Sequence, residues 1–119
     1  MTVLEKLAEF IRNSEEQFSA SEWLSDEKMQ VYVRKGHHFL GRKRRLCLDI
    51  ANVEVYKKGE GTWTSFIRQA HEINPWDGTF VECVHNSRLA SWLLRNGFAP
   101  HNGMESFFLP KDPDNWNKS

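Results

Sequence analysis

A chain of 119 residues, 39% hydrophobic and 13% aromatic, is long enough to bury one core without metals or disulfides and too short for two ordinary domains. Its 16 basic and 16 acidic residues cancel, which excludes the strong positive balance of a dedicated nucleic-acid binder. Residues 1–11 are apolar but interrupted by Glu5, Lys6 and Glu9, which excludes a signal peptide or membrane span, so a cytoplasmic protein with no membrane partner is expected.

Thr2 followed by Glu5 reads as a capping box, and Leu4, Leu7, Ala8 and Ile11 recur at helical spacing behind it. Phe18, Trp23 and Leu24 suggest a short second helix against the same core. From Met29 the pattern alternates through Val31 and Val33, and a turn at Lys35 and Gly36 is expected before a second run around Phe39 and Leu40. Gly41 to Arg45 reads as a basic turn. Leu46, Leu48, Ile50, Val53 and Val55 then form a long strand whose alternation slips near Ala51 and Asn52, which predicts a β-bulge.

Gly59 and Gly61 end that strand, and Trp63, Phe66, Ile67 and Ala70 restore helical spacing until Asn74 and Pro75. Residues 79–84 read as a strand, 86–95 as a helix capped by Gly97, and 105–109 as a last strand. The order predicts a single α/β domain over residues 1–110, with N-terminal helices over 1–27 and a mixed, mostly antiparallel sheet over 28–110. Helices on both faces are expected, with residues 111–119 as a tail. Cys47 and Cys83 lie in apolar strand-like runs, do not form a metal-ligand pair, and are expected to be buried, reduced thiols.

The segment Tyr56-Lys57-Lys58-Gly59-Glu60-Gly61-Thr62 joins a strand to a helix. Free backbone N–H groups and the helix dipole suit an anion there, and Lys57 and Lys58 add charge. It lacks the longer glycine fingerprint of dinucleotide folds and the Gly-Lys-Ser/Thr ending of a P-loop.

This segment resembles the Gln/Arg-x-x-Gly-x-Gly/Ala loop of the GNAT N-acetyltransferases in all but its first position, held here by Tyr56. Downstream, Asn86 opening a helix that runs to Gly97-Phe98 is similar to the family's second signature. The resemblance covers residues 29–109. It implies a GNAT-like sheet with a splayed central strand pair and acetyl-CoA as co-substrate, with no metal. The pyrophosphate would bind Lys57, Lys58, Gly59, Glu60, Gly61 and Thr62. The pantetheine would lie along Asn52, Val53 and Val55, near residues 80–84, with Asn86 holding its acyl end. The family's helical tyrosine, which protonates the leaving thiolate, is replaced by Leu93. Tyr32, Tyr56 or water would have to serve, or no acid at all.

For a general base, Asp49, Glu54 and Glu82 are the strand carboxylates in range, and His85 is a further candidate. The cations Arg34, Lys35, His37, His38, Arg42, Lys43, Arg44 and Arg45 read either as a solvated hairpin tip or as a docking surface for an acidic acceptor, a nucleic-acid backbone or the CoA 3′-phosphate. The neutral net charge ranks nucleic acid below acetyl-CoA as a partner. Three readings follow: an acetyl-CoA-dependent N-acetyltransferase acting on an amine, a GNAT-like structural or interaction protein such as phages encode, and a nucleic-acid-associated acyltransferase. Monomer and homodimer are both compatible with the sequence.

Overall fold

The computed structural model describes residues 1–57, 61–82 and 84–113. Helix α1 (Val3–Asn13) starts at the expected capping box: the Thr2 hydroxyl accepts from the Glu5 N–H, and the Glu5 carboxylate accepts from the Thr2 N–H. Its apolar stripe buries Val3, Leu7 and Phe10.

The expected second helix is instead strand β1 (Ala20–Ser25), paired antiparallel with the first half of β2 (Met29–Leu40). The reason is local. Asp26 turns the chain by accepting from the N–H groups of Lys28 and Met29, and also from Val3, so residues 20–25 fold back as a hairpin arm. The expected turn at Lys35 and Gly36 is absent too. β2 runs unbroken through both residues, because all twelve of its positions pair with β3 (Lys43–Val55). The turn between them is only Gly41 and Arg42, both at positive φ (59° and 74°), as in the mirror-image turns that match hairpin twist.

The bulge is where the alternation slips. Tyr32 pairs with Asn52 and Val33 with Ile50, leaving Ala51 unpaired. Helix α2 (Thr62–Ile73) then leads to β4 (Gly78–Val81), which lies parallel to β3. Helix α3 (Ser87–Arg95) starts at Asn86, whose side-chain oxygen accepts from the N–H groups of Arg88 and Leu89. Gly97 follows it at φ 88°. The short strand β5 (Ala99–His101), which the sequence pattern does not reveal, and β6 (Ser106–Pro110) complete a six-stranded sheet of order β1-β2-β3-β4-β6-β5, with β3/β4 its parallel pair.

The fold is therefore α/β with a mixed, mostly antiparallel sheet, as expected. Among the described residues the helices lie on one face, not on both as the sequence leads one to expect. The buried residues of α1, α2 and α3 belong to one cluster with Val31, Val33, Leu48, Ile50, Val81 and Phe107. This follows from chain path: β3→β4 and β4→β5 step in the same direction, so right-handed crossovers deliver α2 and α3 to the same side. Cys47 is buried on the opposite face beside Leu40 and Phe80, and burial pushes its thiol up to about 12, so it stays protonated. Cys83 lies outside the described residues. No helix among the described residues is long and apolar enough to cross a membrane.

Candidate functional site

β3 and β4 are hydrogen-bonded over Cys47–Ile50 and Gly78–Val81, and the Glu82 N–H adds a last bond to Ile50 O at 3.0 Å. Beyond that point they part. The bulge turns β3 toward Val55, while the continuation of β4 bonds to the opposite neighbour, the Val84 N–H donating to Glu105 O at 2.9 Å. A cavity of about 620 Å³ opens in the gap.

Asn52, Val53 and Val55 form the β3 wall of this cavity. Lys57, Gly61 and Thr62 line the end near α2, and Asn86 lines the end near α3. Asn52, Val53, Val55, Lys57, Gly61, Thr62 and Asn86 thus border one cavity, as do Glu82 and Val84 of the expected 80–84 segment, whereas Phe80, Val81 and the cations of residues 34–45 do not; Lys58, Gly59, Glu60 and Cys83 lie outside the described residues. The α2 end suits an anion. Gly61, at φ 69°, is the N-cap residue, no described side chain caps the helix, and its first turn has no acid. The oxygen of Asn86 is committed to capping α3, which leaves its amide N–H groups as donors.

The three carboxylates expected as bases separate. Glu82 lines the cavity. Asp49 does not line it, but joins Glu82 through Arg34, whose guanidinium pairs with Glu82 and lies 3.4 Å from Asp49. Glu54 is exposed on β3, pairs in register with Gln30 and does not border the cavity. His85 lines the cavity and is exposed. Tyr32 packs on Trp23, 5.0 Å between ring centroids, and the Tyr56 hydroxyl faces Gln30 at 3.5 Å; neither lines the cavity. Leu93 is fully buried in the core and turned away from it.

Behind Glu82 lies a polar cluster centred on Asp49, two of whose members, Arg34 and His38, the basic run conceals in sequence. Asp49 is 2% exposed and accepts from His38 Nε2 at 2.8 Å. Burial raises the Asp49 pKa and the Glu82 charge adds to this, while the hydrogen bond and charge of His38 and the charge of Arg34 oppose it. His38 is stacked on Phe80, 3.9 Å between centroids. A Cβ on Gly36 would sit 2.2 Å from Asp49 Oδ2, so glycine at that strand position is what admits the carboxylate. The signal was available: Arg34, Gly36 and His38 alternate, which puts them on one strand face, and a glycine inside a strand marks a close approach. Donor atoms of His38, Asp49 and Glu82 lie within 4.8 Å of one another, a spacing a divalent ion fits, but the Arg34 guanidinium already supplies the neutralising charge to both carboxylates.

No family model matches the chain, and neither the curated proteins nor the solved structures include a match.

Proposed function

We propose that the protein is an acetyl-CoA-dependent N-acetyltransferase of the GNAT type, acting on an amine acceptor. The observation that carries this reading is the parting of the parallel β3/β4 pair at a bulge, with a cavity between the strands and an uncapped helix N-terminus at one end. An extended thioester arm can lie in such a gap and bond to strand backbone left without a partner strand. Its diphosphate would meet the N–H groups and positive dipole end of α2, with Lys57 adjacent. Val53, Val55, Val84 and Leu89 give the arm apolar walls.

In the reaction the acceptor ammonium first loses a proton, for which Glu82 is the carboxylate at the cavity wall. The neutral amine attacks the thioester carbonyl, the C–S bond breaks to release CoA thiolate, and the proton that the new amide nitrogen loses passes through water to the thiolate. No tyrosine of this chain lines the cavity, so the work falls on positioning and on the base.

The buried Leu93 favours a second reading, a GNAT-like protein that binds CoA but turns it over slowly or not at all. Thermal unfolding with acetyl-CoA and with CoA separates the cases. At about a hundredfold excess over the dissociation constant, binding adds roughly 2.7 kcal/mol and raises the midpoint by on the order of ten degrees. Thr62→Glu, at the first position of α2, is expected to abolish that shift without lowering the ligand-free midpoint, because a carboxylate there suits the dipole but repels a diphosphate. A shift with release of CoA thiol in the presence of amines supports the enzyme. A shift without release supports the binding protein, and no shift removes both.

A further inference from the structure

The fold divides the eight cations of residues 34–45 into two groups. Arg34 and His38 serve the Asp49 cluster, and the buried Lys35 donates to the carbonyls of Ser14 (2.8 Å) and Glu15 (3.1 Å). His37 Nε2 is 2.8 Å from Phe18 O, and Arg45 is buried with Nε 3.5 Å from Leu40 O. Arg42, Lys43 and Arg44 remain exposed at the hairpin tip, and no described acid forms an ion pair with any of them.

Beside them are two phenylalanines that the core does not use. Phe39 is 74% exposed and Phe18 65%. Phe18 stacks on His37 with centroids 4.0 Å apart and planes 11° from parallel, and the Arg44 guanidinium carbon lies 5.5 Å from the Phe18 ring. His37 and Phe39 share a strand face, and Arg44 is the cross-strand partner of Phe39, so rings and cation form one strip. Exposed rings rimmed by charge mark an interaction surface. The turn adds a third sign: Arg42 holds a left-handed conformation (φ 74°) that asparagine or glycine adopts at lower cost. Local stability is lost there, and the arginine projects a charge at the tip.

We propose that the tip of the β2–β3 hairpin binds single-stranded nucleic acid, with unpaired bases stacking on Phe39 and on the Phe18–His37 pair while Arg42, Lys43 and Arg44 contact phosphates. Flat, sequence-tolerant stacking next to cations is the chemistry by which single strands are held, and a duplex, whose bases are already stacked, cannot use the rings. The inference does not depend on the acyl-CoA reading.

The test is fluorescence polarisation of labelled twelve-residue oligo(dT) and oligo(U), and of a duplex of the same length, with the full chain between 25 and 200 mM salt. The expected result is binding of single strands over duplex, with log affinity falling against log salt at a slope of roughly −2 for three phosphate contacts. Phe39→Ala should weaken binding by at least about fivefold. Alanine at Arg42, Lys43 and Arg44 together should flatten the salt slope. Arg42→Asn is the discriminating variant: it should raise the melting midpoint by about 2–5 °C while lowering affinity. Circular dichroism verifies that each variant is folded. Absence of oligonucleotide binding at low salt overturns the proposal. So does binding that polyglutamate displaces as well as oligo(dT) does while Phe39→Ala is silent, which would make the tip a site for an acidic protein.

Discussion

The two faces of the sheet are built from the same strands and carry opposite chemistry. Toward the helices, Val31, Val33, Leu48, Ile50, Val81 and Phe107 join three apolar helix stripes in one cluster. Away from them, β2, β3 and the end of β4 present Arg34, His38, Asp49 and Glu82 around a glycine, with Leu40, Cys47 and Phe80 as a small buried apolar cluster beside which Phe108 packs. Removing carboxylates from water costs more than their pairing usually returns. A small domain keeps such a cluster only if its other face supplies the stability. The contrast teaches that, in this fold, stability and chemistry are separated by side-chain parity along single strands.

The largest expected break in that division is Phe107→Ala. The ring is fully buried on β6 in the helical core, and its loss should cost about 3–5 kcal/mol in urea unfolding. Gly36→Ala attacks the other face. Its methyl group would displace the Asp49 carboxylate, and a loss of about 1–3 kcal/mol is expected. Adding Asp49→Ala should restore much of this, because the clash and the buried charge disappear together; a double-mutant cycle showing simple additivity would contradict the account.

In pH dependence the two faces should respond in opposite directions. Burial, with the nearby Lys111 charge, lowers His71 on α2 to about 4 from an ordinary 6.5. Between those values the unfolded chain holds a proton that the folded chain does not, so His71 favours folding above pH 6.5 and that contribution is lost as pH falls toward 4. Asp49 is shifted upward, so the folded chain holds the extra proton. Its contribution is full below an ordinary aspartate pKa and is lost as pH rises through the folded value. His71→Asn should flatten the acid-side decline in chemical-denaturation stability, and Asp49→Asn should steepen it.

Much of this architecture was legible in sequence because it rests on local signals. The Thr2–Glu5 box fixed the start of α1, and the slip in apolar parity at Ala51 located the bulge. Asn86 and Gly97 bracket α3 as cap chemistry requires. What failed depended on distant partners. Trp23 and Leu24 allow helix or strand, and pairing with Tyr32 and Val31 decides for strand. Gly36 reads as a turn until Asp49, thirteen residues on, requires the space above it. Several residues that line the cavity fall in the two segments the sequence singled out, whereas the tie between Asp49 and its partners was hidden because Arg34 and His38 looked like part of a charge run.

The bulge at Ala51 gives this strand an unusual sensitivity to length. On its N-terminal side even-numbered positions such as Leu48 and Ile50 enter the core, and beyond it the odd-numbered Val53 and Val55 pack there. A one-residue deletion between them would remove the extra residue and leave Ile50, one outward residue and Val53 in plain alternation, so both valines would stay inward while the bend that turns β3 away from β4 is lost. Along this stretch a lost codon would spare the core and straighten the strand, so an in-frame deletion of Ala51 would reveal whether the bulge is what holds the cleft open.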